Sequence, residues 1–243
     1  MPDGLVRVEQ AMQCHATAPG FDVTGPHWMF AVVTVRRGHL WYARGAARIA
    51  PPARRFAVFL PPFSIVECWL DRARCDTVAV VARGDLPAGA PREPVVTTFD
   101  ARDVPDSRAG VDAALRAAGP LIAIGRDVAP ASLSVRLKQR IDREYPALPP
   151  IGALAAELGV QPAVASRRFG RDYGLPPVRY RHALRVTDAL IRLAGGEAIV
   201  EVAGAVGFDD LGQFYRQFGA LASAPPGRYR PRSRNPKTGP TRP

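Results

Sequence analysis

The chain has 243 residues, 47% of them hydrophobic, a length that favours two domains over one and leaves ample material for packed cores. No run of residues is apolar and long enough to span a bilayer, and the three cysteines, Cys14, Cys68 and Cys75, are too few and too irregularly spaced for a disulfide framework or a zinc site. The formal net charge of +11 fits a polyanionic partner, with solubility alone as the plain alternative.

The N-terminal stretch Met1-Pro2-Asp3-Gly4-Leu5-Val6-Arg7 lacks the basic-then-apolar plan of a signal peptide, so a cytoplasmic protein with no membrane partner is expected. Short runs rich in β-branched and aromatic residues then follow at Met29–Val35, Leu40–Ala43, Phe56–Leu60 and Thr77–Ala82. Arg37-Gly38, Arg44-Gly45, Pro51-Pro52 and Pro61-Pro62 punctuate them as turns. Short strands at close spacing predict a sandwich or barrel rather than alternating strands and helices. Residues 84–106 are rich in Pro, Gly and Asp, with one further strand at Val95–Phe99. A helix from Ser107 to Ala118 puts Val111 and Leu115 on one face, either as a dimerisation helix or as a linker element.

From Ser132 the pattern is helical. Leu133, Leu137, Ile141 and Tyr145 recur every four residues, and Pro146 ends that helix. Ile151–Leu158, a helix from Gln161-Pro162 to Tyr173, a longer helix from Val178 to Leu193, and Ile199–Val206 with Asp209–Gly219 complete the set. On the longer helix, Tyr180, Leu184, Thr187 or Ala189, and Ile191 are expected toward a core, and Arg179, Arg181, Arg185 and Arg192 toward water. Residues 133–243 hold 16 Arg and 2 Lys against 9 acids, whereas residues 1–132 hold 15 Arg against 13 acids, so most of the excess charge lies in the helical half. Such an excess suits DNA, because each Arg near a phosphate displaces a condensed counterion.

One segment occurs twice in this half. Leu154-Ala155-Ala156-Glu157-Leu158-Gly159-Val160 and Val202-Ala203-Gly204-Ala205-Val206-Gly207-Phe208 share a small residue followed four positions later by glycine. That is the local pattern of a helix-turn-helix: the small residue admits a second helix, and the glycine takes the left-handed turn. With Ser166-Arg167-Arg168-Phe169, Gly174, Arg185, Ala189, Leu193, Gly207-Phe208-Asp209-Asp210, Phe214-Tyr215-Arg216-Gln217-Phe218 and Pro226-Gly227-Arg228-Tyr229-Arg230, residues 130–230 resemble the DNA-binding domain of the AraC/XylS family of bacterial transcription regulators. The chain departs from that pattern at Gly219, Ser223 and Pro225, all after the second recognition helix.

The resemblance implies an α+β protein of two domains. Residues 1–105 would be a cupin-like β-barrel or sandwich that binds an effector or dimerises, 106–131 a linker with a helix, 132–231 an all-α bundle with two helix-turn-helix motifs joined by a linker helix, and 232–243 a disordered basic tail. It also implies a non-enzymatic regulator, cytoplasmic and associated with the bacterial nucleoid, that binds double-stranded promoter DNA as a homodimer, with RNA polymerase as a further candidate partner. Two recognition helices would enter successive major grooves, with phosphates supplying affinity and a few side chains reading bases. On the first, Ala163, Ser166, Arg167 and Arg171 form the exposed stripe, Arg167 being suited to grip guanine. On the second, the stripe is Leu211, Gly212, Gln213 and Arg216, and Phe208, Phe214 and Phe218 belong to the core.

In the N-terminal domain, Trp28, Phe30, Trp41, Tyr42, Phe56, Phe59 and Trp69 are candidates to line an effector pocket or simply to fill the core. His15, His27 and His39 form no His-x-His pair, so no metal site, cofactor or catalytic group is expected. A domain that only dimerises, a cupin-type enzyme with a DNA-binding appendage, and a thiol sensor at Cys68 and Cys75 stand as alternatives.

Overall fold

The computed structural model describes residues 5–222 and 224–231; the expected tail at 232–243 and the departure at Ser223 lie outside them. Eight strands form one sheet: β1 (Val6–Gln13), β2 (Ala18–Val23), β3 (His27–Arg44), β4 (Ala47–Ile49), β5 (Arg55–Leu60), β6 (Ile65–Arg83), β7 (Val95–Thr98) and β8 (Ile122–Ala123). The order is β1-β6-β3-β5-β7-β8, with β2 on β6 and β4 on β3, and every pairing of these strands is antiparallel.

The spine is the long pair β3 and β6. Met29–Val35 and Leu40–Ala43 read as two strands with a turn at Arg37-Gly38, yet β3 runs straight through. Its register with β6 shifts between Val35 and Arg37 and again between Arg37 and His39. One extra residue on β3 and then one on β6 are absorbed as a bulged irregularity, in which Gly38 takes φ 73 at a point where a side chain would meet the carbonyls of Asp71 and Arg72.

The bulge also changes which residues face inward. Before it, Val33 and Val35 point to one core with Val58, Val66 and Cys68; after it, Leu40 and Tyr42 do. The opposite face packs Trp28, Phe30, Phe59 and Val80 against Val111 and Leu115 of α1 (Arg108–Ala117). Ser107 caps α1 by accepting from the Gly110 N–H.

Six further helices follow: α2 (Leu133–Glu144), α3 (Ile151–Glu157), α4 (Pro162–Tyr173), α5 (Pro177–Ala194), α6 (Ile199–Ala205) and α7 (Leu211–Leu221). They form two cores that share α5. Tyr180 and Leu184 join Leu137, Ile141, Leu154 and Phe169 in the first. Val186, Ala189 and Leu193 join Val202, Phe208, Phe214 and Phe218 in the second. Full burial of each Leu or Phe contributes roughly 1.5–3 kcal/mol, so α5 is held from both sides.

Two arginines of α5 are not on its wet side. Arg185 is only 7% exposed. It donates to the carbonyls of Tyr145 and Pro146, and Arg181 to those of Tyr145 and Leu148. These carbonyls lie in the turn that follows α2, outside any helical ladder, and the two guanidinium groups satisfy them. Burial and the neighbouring Arg181 bring the Arg185 pKa down to about 10.

The helical region is fastened to the sheet by polar contacts as well as packing. Asp188 of α5 accepts from Arg83 at 2.9 Å, from Tyr145 Oη at 2.7 Å and from Arg192 at 3.3 Å, and His27 Nε2 lies 3.6 Å away. Thr187 Oγ1 donates to the Val23 carbonyl, and Lys138 to that of Phe63. No helix among the described residues is long and apolar enough to cross a membrane.

Candidate nucleic-acid interface

Helices α3 and α4 make the first helix-turn-helix, α6 and α7 the second. In each, the turn glycine has left-handed backbone, φ 71 at Gly159 and φ 88 at Gly207. Only Gly207 is also pressed against other chain: a Cβ there would overlap the Pro146 carbonyl.

On α4, Ala163, Arg167 and Arg171 are exposed and Ser166 is half-buried, while Ala165 and Phe169 are buried beneath them. Arg167 has no hydrogen-bond or ion-pair partner among the described residues, so its guanidinium is available. Arg168, exposed beside it, adds charge. Arg171 pairs with Asp172 at 2.9 Å, and Asp172 in turn accepts from Ser134 at 2.6 Å. The hydrogen bonds from Ser134 and Arg171 hold the Asp172 carboxyl below its ordinary range, against a burial effect that pushes it up.

On α7, Leu211, Gly212, Gln213 and Arg216 are all exposed, above the buried Phe214 and Phe218. Asp210 caps this helix, accepting from the N–H groups of Gly212 and Gln213 at 3.0 and 2.8 Å. Those two bonds hold its carboxyl below the usual range. Arg216 lies 3.8 Å from the same carboxylate. The helix continues through Gly219 to Leu221 rather than ending there. His182 is half-buried in the angle between α5 and α7, where it bonds Gln217; burial and the adjacent Arg185 lower its pKa. The connecting helix has 18 residues, about 27 Å at ~1.5 Å per residue.

A second feature lies between the sheet and this helical region. A cavity of about 250 Å³ opens on the sheet face opposite α1, lined there by Met29, Ala31 and Tyr42 and closed by Thr187 and Ile191 of α5 and by Leu221. Of the seven aromatics expected at a pocket, Tyr42 alone lines it. Trp28, Phe30 and Phe59 have the opposite parity and pack toward α1. Phe56 is filled core against Tyr42. Trp41 stacks on His39, and Trp69 lies under the Arg48 guanidinium, because parity beyond the bulge turns both outward. Sequence patterns gave no sign of the α5 and α7 side of the cavity, which tertiary packing alone creates.

Residues 154–232 match the family profile of a helix-turn-helix domain. Among solved structures, ToxT from Vibrio cholerae follows 93% of this chain with 97% of its own, at 10% identity and a TM-score of 0.51. ToxT with a bound unsaturated fatty acid gives 11% identity and a TM-score of 0.51 over 93% of this chain and 94% of that one. The C-terminal domain of AraT, a response regulator from Geobacillus stearothermophilus, is 23% identical over 42% of this chain and 87% of its own, with a TM-score of 0.40. No curated protein matches the chain. Residues 154–232 therefore hold a helix-turn-helix domain, and the chain shares the fold of ToxT, an antiparallel sheet followed by paired helix-turn-helix units.

Proposed function

We propose that this protein is a sequence-specific transcription regulator that grips promoter DNA mainly through α4, reads it further with α7, and is controlled by a small molecule in the cavity between sheet and helices. The observation that carries the reading is the stripe of exposed Ala163, Arg167 and Arg171 with half-buried Ser166 among them, and with Arg167 free of any partner among the described residues. Arg167 is the residue that would grip a guanine edge with two hydrogen bonds, and Gln213 and Arg216 are the polar readers on α7. Leu211 and Gly212 would meet thymine methyl groups or read groove shape.

The ligand part of the reading is supported by the cavity itself and by the ToxT fold, which has been solved with a fatty acid bound. Of the aromatics considered, Tyr42 is retained as a lining residue. A homodimer in solution and contact with RNA polymerase belong to the same proposal; sedimentation of the full chain tests the first.

The test is selection of a binding site from random duplexes, followed by gel shift. Arg167→Ala should cost about 1–3 kcal/mol on the selected site. Arg216→Ala should cost less than about 1 kcal/mol, because Asp210 already shares its charge. Equal affinity of parent and Arg167→Ala would sink the assignment of α4.

A further inference from the structure

The cavity is mostly apolar, but one acid points into it. Asp22, on the edge strand β2, lines it beside Phe21 and Val23. Its carboxylate has no hydrogen-bond or ion-pair partner among the described residues. It acts on Tyr42 and Cys68, which also line the cavity, and pushes both further toward their neutral forms. Loss of hydration pushes the Asp22 pKa up to about 6.

The composition around it is equally one-sided. The chain holds 33 Lys and Arg against 22 acids, yet no arginine, lysine or histidine among the described residues lines this cavity. Asp22 is half-buried and reaches water only through the cavity, and a carboxylate partly withdrawn from water without a counter-charge costs free energy that a cation would offset. An anionic ligand would meet like charge with nothing to offset it. A neutral ligand would leave the acid as it stands. A cation would supply the missing charge and pair with the carboxylate.

We propose that the cavity takes a small organic cation, an apolar body carrying one protonated amine, with the amine on Asp22 and the body against Met29, Ile191 and Leu221. The inference rests on the effector reading given above and specifies its ligand class. It also gives the ligand a route to DNA. The body touches α5, the rod between the two helix-turn-helix units, and the end of α7, the second recognition helix. Filling the cavity thus acts directly on the elements that set how α7 meets its groove.

Thermal melting of the full chain at pH 7.5 tests this, using a graded series of alkyl- and arylalkylammonium ions, the matching alcohols and the matching carboxylates. At a hundredfold excess over its Kd, the best-fitting amine should raise Tm by about 5 °C. Asp22→Asn should weaken that amine at least tenfold while melting, without ligand, at or above the parent temperature. Ile191→Phe, which fills the cavity from α5, should remove the shift as well. Alcohols or carboxylates outperforming amines, or Asp22→Asn binding amines as well as the parent, would overturn the ligand class and leave the effector reading standing. No shift with any of the three series would overturn both.

Discussion

Around α4, Phe21, Phe63 and Ile65 from the sheet side enter the helical core, and Arg126 donates to the Arg171 carbonyl while pairing with Glu67. Around α7, no sheet residue among those described enters the core, and Leu190, Leu221, Ala222 and Tyr229 face the sheet across the cavity. The surfaces differ in the same sense. The first unit shows Arg167, Arg168 and Arg171, whereas the second shows Arg216 beside Asp209 and Asp210. An anchored, strongly basic head suits holding DNA; a head attached through one rod and a cavity suits being moved. The two units thus share a motif but divide labour.

The largest test of that contrast is a matched pair of glycine substitutions. Gly159→Ala meets open space and carries only the left-handed backbone cost, about 1–2 kcal/mol. Gly207→Ala adds an overlap with the Pro146 carbonyl and should cost on the order of 4 kcal/mol, read by urea unfolding. Equal losses would mean that the second turn is not pressed against the end of α2 as described.

Next in size is the seam that joins both units to the sheet. Asp188 is 1% exposed and serves Arg83, Tyr145 and Arg192 at once. Asp188→Ala removes the partner of Arg83 and Tyr145, with Arg192 keeping Glu197, and should cost about 3 kcal/mol, discounted from the usual range because Arg83 is half exposed. The surface pair Arg140–Glu144 provides the control, and Glu144→Ala should cost less than about 1 kcal/mol. If the two variants lose equally, the seam is not a stabilising element.

The helices were readable from the chain because their ends are written locally: Pro162 and Pro177 open α4 and α5, Ser107 and Ser132 cap α1 and α2, and Asp210 caps α7. The sheet was less so. β2 contains Pro19-Gly20, which looks like a turn but sits on an edge strand where a missing N–H is tolerated. β1 alternates, but Gln10 lines the cavity with Val8 and Met12, so its inward face is not uniformly apolar. β6 carries Asp71-Arg72-Ala73-Arg74 through its middle, a charged run that reads as a loop. The DNA-reading stripes followed from helical spacing, whereas the cavity depends on β3 parity and on helices more than a hundred residues away. Arg185 was misplaced for the same reason: its partners are carbonyls in the turn after α2, some forty residues earlier.

The smallest effect separates the seam from the cavity by pH. His27 is buried near Asp188, and its Nδ1 has no partner. Burial lowers its pKa to about 4, with Asp188 opposing and Arg83 and Arg192 assisting. Between pH 6.5 and 4 the unfolded chain therefore binds a proton there that the folded chain does not, and stability falls on acidification. Asp22 has the opposite sign: raised to about 6, it binds a proton in the folded chain that the unfolded chain releases above about 3.8, so acidification through this window stabilises. In the parent the two effects partly cancel. Asp22→Asn should make stability fall more steeply from pH 6 to 4, and His27→Gln should make it fall less or rise, each by at most about 1.4 kcal/mol per pH unit. Parallel profiles for parent and both variants would mean that neither group sits in the environment described, and with that the distinction between a sealed seam and a cavity awaiting charge would be lost.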